Sequence, residues 1–108
     1  MNSAYELQGK KRKYYNLIDG LSMVIKKIDE SIENLNLVLK NFNESFNIDS
    51  QSADQNKISE YQNELIRKRD TLKNTIIPSI YEEIQKINKQ IQQAELIAND
   101  KNNIGGIW

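Results

Sequence analysis

The sequence predicts an all-α protein: an antiparallel two-helix hairpin, coiled-coil-like, with its second helix kinked or broken near Pro78, and built into a larger bundle with partner helices. Three observations predict it. Tyr14, Ile18, Leu21, Ile25, Ile28, Ile32, Leu35, Leu39, Phe42 and Phe46 alternate four- and three-residue steps without interruption, the seam that keeps one stripe of a helix against another helix. An Asn-, Asp- and Ser-rich break at 47–54 divides the chain into two arms of similar length, which favours a hairpin over one continuous helix. Finally, apolar residues recur beside the seam, more than two helices bury between them.

The first helix is expected over about 4–46. Ser3-Ala4-Tyr5-Glu6 has the spacing of a capping box, Ser at the cap and Glu three residues on. Run backwards, the seam takes in Ala4 and Leu7, with Lys11 as its one polar member. Gly9 and Gly20 lie off the stripe, each costing about 1 kcal/mol relative to Ala.

A turn follows at about 47–54, and Ser52-Ala53-Asp54-Gln55 is a second capping-box match. The second helix is expected over about 55–98. Its apolar set reads Ile58, Tyr61, Leu65, Leu72, Ile76, Ile80, Ile84, Ile87, Ile91, Ala94 and Ala98, with Lys68 where an apolar residue belongs. Four-residue steps between Leu72 and Ile84 slip the register, and Pro78 sits in the slip. Proline removes one N–H and crowds the carbonyl of Asn74. Residues 1–98 thus form a single hairpin domain, and Asn99 to Trp108, with Asn102, Asn103, Gly105 and Gly106, is expected to be a flexible tail.

Antiparallel pairing about a turn near residue 50 joins positions whose numbers sum to about 100. That brings Asp29, Glu30 and Glu33 beside Arg67, Lys68 and Arg69, and Lys10 to Lys13 beside Lys86 and Lys89. Surface pairs contribute about 0–1 kcal/mol each, so they set register more than stability.

Composition narrows function. Lys plus Arg and Asp plus Glu each number 15, so no whole-protein field draws in nucleic acid or anionic lipid. Lys10-Lys11-Arg12-Lys13-Tyr14-Tyr15 has the ingredients of a phosphate-binding patch. However, Tyr14 belongs to the seam and the four charges point around most of the helix, so a solvated surface is the better reading. Without Cys or His, the common nucleophile pairs, the usual general base and most zinc sites are missing. No catalytic residue, cofactor, metal or small-molecule substrate is expected. No apolar run is long enough to span a bilayer, and the polar stretch Met1 to Lys13 has no apolar signal core. The expected location is the cytoplasm, without a Sec signal peptide, and co-export with a partner stays open.

The function-bearing feature is therefore the uncovered flank. Leu17, Val24 and Val38 recur at heptad intervals beside the seam, interrupted by Ser31, while Ile66, Ile77, Tyr81 and Ile97 lie off the second arm's stripe. An isolated helix pair has little core, and partner helices would complete it. The expected contact residues are Leu17, Val24, Val38, Ile77 and Tyr81, joined by Trp108 if the tail is a peg that docks in a partner groove; folding back near Tyr5 and Leu7, or fraying, is the other reading of that tail.

Two helices of about forty residues around a short polar turn, no Cys, a charged Tyr-containing stretch at Lys10 to Tyr15 running into a heptad-rich helix, and an Ile- and Leu-rich second helix: this outline resembles the WXG-type helical hairpins. More closely, it is similar to the small accessory proteins of LXG polymorphic toxins in bacterial type VII secretion. The turn lacks Trp-x-Gly, and the one Tyr followed four residues later by an acid, Tyr15 with Asp19, lies on the first helix. The resemblance implies a non-catalytic targeting factor or chaperone. It would bind the helical N-terminal domain of a toxin, with a second small helical protein as a further partner. The alternative is a homo-oligomeric coiled-coil structural or phage assembly protein.

Overall fold

The structure is a computed structural model that describes residues 3–46 and 53–107, with side chains described over 3–44 and 54–98. Every described residue after Ser3 is helical. Helix α1 runs Ala4–Phe46, α2 runs Ala53–Thr71, a π-helical turn occupies Leu72–Ile76, and α3 runs Ile77–Ile107. The fold is the predicted helical hairpin.

Helix α1 starts where the capping box places it. The Ser3 hydroxyl accepts the Glu6 N–H at 3.2 Å, satisfying one of the amides a helix start leaves unpaired, and the Ser3 carbonyl accepts the first intrahelical bond, from the Leu7 N–H at 3.0 Å. The seam also holds. Ile18 and Ile32 are buried, and Tyr14, Leu21, Ile25, Ile28, Leu35, Leu39 and Phe42 are half-buried. The Phe46 side chain lies outside the described residues.

The C-terminal boundary differs from expectation. A flexible tail from residue 99 was the sequence reading, yet α3 continues to Ile107. Adding a residue to an established helix needs no new nucleus, so the cost of about 1 kcal/mol for each of Gly105 and Gly106 does not stop it. Trp108 and residues 47–52 of the turn expected over about 47–54 lie outside the described residues, while Ala53 and Asp54, expected in that turn, open α2.

The chain divides into two compact units. The first joins Met1–Asp19 to Ile77–Trp108. Its core clusters Leu7 with Ile87 and Ile91, and Tyr14 packs against them. Ile18, Ile80 and Ile84 are buried in the same unit, Ile84 at 1% exposure. Burying each such side chain contributes roughly 1.5–3 kcal/mol. The second unit is Gly20–Ile76. Among its described side chains only Ile32 and Gln55 are buried, and the rest of its seam is half-buried.

On the returning arm the inward set differs from the predicted stripe. Gln55, Ile58, Gln62, Leu65, Arg69 and Leu72 are buried or half-buried, whereas Tyr61, Lys68 and Ile76 are exposed. Ile58, Leu65 and Leu72 keep their predicted places, whereas the alternate inward positions lie one residue later than hydrophobicity suggested, because polar side chains hold them. After Leu72 the inward series resumes at Ile77, then Ile80, Ile84, Ile87, Ile91 and Ala94. The step from Leu72 to Ile77 is one residue longer than a heptad allows, and a π turn accommodates one extra residue. It also disposes of the proline. An i→i+4 pattern assigns the Asn74 carbonyl to Pro78, which has no N–H; an i→i+5 pattern assigns it to Ser79, which has one. The π turn at Leu72–Ile76 thus interrupts the second helix next to Pro78, where the kink or break was expected. Just before it, the Thr71 hydroxyl donates to the Arg67 carbonyl at 2.9 Å, a back-bond that perturbs the helix ladder.

Candidate functional site

The second unit has two unlike edges. One is sealed by polar pairs between the arms. The Gln55 side-chain amide donates to Asn43 Oδ1. That of Gln62 donates to Asn36 Oδ1 at 2.6 Å and to the Ile32 carbonyl at 3.1 Å. Arg69 donates to Asp29 at 2.9 Å and to its neighbour Asp70 at 3.1 Å. Along α1 the acceptors Asp29, Asn36 and Asn43 fall at heptad intervals, and so do the donors Gln55, Gln62 and Arg69 along α2. Each pair shares one constant sum of residue numbers, slightly under the expected value of about 100, so the arms run antiparallel. Hydrogen bonds to Asp29 and then Asp70 hold the Arg69 guanidinium above its ordinary pKa.

Of the predicted charge pairs, Asp29 with Arg69 forms, while Arg67 and Lys68 have no ion pair among the described residues. At the predicted basic end, Lys86 pairs along its own helix with Glu83 at 3.0 Å. That hydrogen bond raises the Lys86 pKa.

The opposite edge of this unit is apolar and open. Val24 and Val38 are 44% and 47% exposed. Each stands one position before an inward residue of α1, on the flank away from Asp29 and Asn36. Tyr61 and Ile76 hold the equivalent position on the returning arm and are also exposed. In antiparallel pairing these positions share one edge. Val24 and Val38 are exposed on the flank expected from the sequence, and Tyr61 and Ile76, expected in the seam, are exposed beside them. Met23 and Leu37, one residue further round α1, are exposed as well.

In the first unit Leu17 and Tyr81 are exposed, as are Tyr5, Tyr15, Leu96 and Ile97. Ile77, expected on the contact flank, is half-buried and belongs to the inward series. Trp108, the remaining expected contact, lies outside the described residues. The basic stretch forms a shallow open depression lined by Gln8, Lys11, Arg12 and Tyr15, with the Lys11 ammonium 6.0 Å from the Tyr15 ring centre. That is the outer limit of a cation–π contact.

Among the described residues, no group of three or more acidic side chains converges as metal ligands do, and no buried side-chain polar atom lacks a partner. No described helix is long and apolar enough to cross a membrane. Among the described residues the arrangement offers helix-packing surface. Comparisons with protein-family models, with curated proteins and with solved structures return no match.

Proposed function

We propose that this chain is a non-catalytic helical interaction protein that binds the helical N-terminal domain of a secreted LXG-type toxin and serves as its targeting factor or chaperone for type VII secretion. The observation that carries the reading is the open apolar edge of the second unit, Val24 and Val38 with Tyr61 and Ile76. Among the described residues of that unit's seam, Ile32 is the one buried apolar side chain and the others are half-buried. A third helix laid on this edge covers both the edge and the half-buried seam, and the apolar area it removes from water drives association. In this reading the chain meets its partner in the cytoplasm before export. A toxin partner also fits the helical outline described above.

The test is coexpression with the helical N-terminal domain of a toxin encoded beside this chain, followed by pull-down. The expected outcome is a stoichiometric complex. Val24→Asp with Val38→Asp should abolish capture, since an aspartate buried at the contact costs several kcal/mol, while helicity and the melting temperature of the free chain stay as in the wild type. A cooperatively folded monomer that captures nothing overturns the proposal. A chain that forms a stable dimer or tetramer by itself, lost in the same variant, points instead to the homo-oligomeric scaffold.

A further inference from the structure

The open edge of the second unit is cationic at its middle. The antiparallel register places Val38 level with Tyr61 toward one end, and Val24 level with Ile76, to within a helical turn, toward the other. Midway lie Ser31 on α1 and Lys68 on α2, both exposed. Lys27, exposed and one turn from Val24 on the same face of α1, adds a second cation. Glu64 lies one turn before Lys68, yet among the described residues neither lysine makes an ion pair. The edge reads apolar, cationic, apolar, with the two apolar steps two heptads apart.

We infer that this edge takes a partner helix with apolar residues two heptads apart and an acidic residue midway between them, and that it rejects a second copy of the same chain. The inference rests on the proposed helical partner and specifies its chemistry. The exclusion of a second copy follows from symmetry. A two-fold dimer that set Val24 and Ile76 of one chain against Val38 and Tyr61 of the other would pass its axis through the middle of the edge. Lys68 would then face Lys68, and desolvated like charges oppose association. An acid at the centre of a different helix is attracted to Lys68 and Lys27 instead. The apolar ends supply the drive to associate, and the centre supplies the choice of partner.

The experiment uses the full chain and two capped amphipathic helical peptides. They carry isoleucines at the two apolar steps and differ only in a central Glu or a central Lys. Binding is read by fluorescence anisotropy at low and high salt. The Glu peptide should bind the wild type about tenfold or more tighter than the Lys peptide at low salt, with the gap narrowing as salt rises. Lys68→Glu should reverse the preference while circular dichroism stays unchanged. Equal affinities for the two peptides overturn the charge selection and leave the helical-partner reading standing. If neither peptide binds while the toxin domain is still captured, the edge is the wrong docking place and this inference alone fails. If neither peptide nor toxin domain binds, both fail. Sedimentation provides the last arm: a wild-type dimer that Val24→Asp dissociates makes a second copy the occupant and overturns the exclusion.

Discussion

The two units of this hairpin solve the same packing problem with different materials. The first closes on isoleucine: Ile80, Ile84, Ile87 and Ile91 turn inward against an α1 segment carrying Leu7 and Ile18, and all six are buried. The second places Gln55, Gln62 and Arg69 at the equivalent alternate inward positions and matches them to Asn43, Asn36 and Asp29. Apolar contact is strong and indifferent to register; a polar position in a helix seam costs stability and fixes register and pairing. The first unit therefore supplies cohesion, and the second supplies alignment and leaves apolar surface over for a partner.

The largest effect should come from emptying the first core. Ile84→Ala removes the most buried apolar side chain and should cost about 2–5 kcal/mol in chemical denaturation. Leu35→Ala, at a half-buried seam position of the second unit, should cost clearly less in the free chain. Equal losses would erase the contrast between the units. A smaller effect of opposite sign is expected from Gln62→Leu. It replaces a polar inward residue by an apolar one and should raise stability by about 1 kcal/mol while loosening the specification of register. Sedimentation should then show mixed oligomers where the parent shows one species. A destabilised variant would mean that the Asn36 and Ile32 hydrogen bonds outweigh apolar burial. Smallest is Gly20→Ala. A Cβ there meets nothing within 4 Å, so the helix should gain at most about 1 kcal/mol. Gly9→Ala, with equally open surroundings, serves as its counterpart in the first unit, and thermal melts of the two variants should rise alike.

Much of the fold was legible because α1 obeys one rule throughout. Every described seam position from Tyr14 to Phe42 is apolar and faces inward, at least half-buried. The returning arm hid its register for a physical reason. Hydrophobic periodicity sees only apolar positions, and with Gln55, Gln62 and Arg69 inward it settled on Tyr61, Lys68 and Ile76, one residue off. The signal that reveals the true register is paired and polar: Asp, Asn and Asn at heptad intervals on one arm, answered by Arg, Gln and Gln on the other. The candidate edge was half legible for the same reason. Val24 and Val38 flank a seam read correctly, whereas Tyr61 and Ile76 had been assigned to the core, and Ile77 to the surface. Trp108, expected as a peg, lies outside the described residues.

The π turn at Leu72–Ile76 has a consequence for how this chain tolerates length change. The returning arm carries one residue more than its heptad lattice accommodates, and the surplus is stored in that single turn. A gain or loss of one residue elsewhere in the arm would rotate every later side chain by about 100° and turn the isoleucines of α3 away from their partners. At the π turn, loss of one residue only relaxes the winding to an ordinary α turn. This short stretch is an expansion joint already extended by one residue, the place where a single deletion preserves the inward register of the arm.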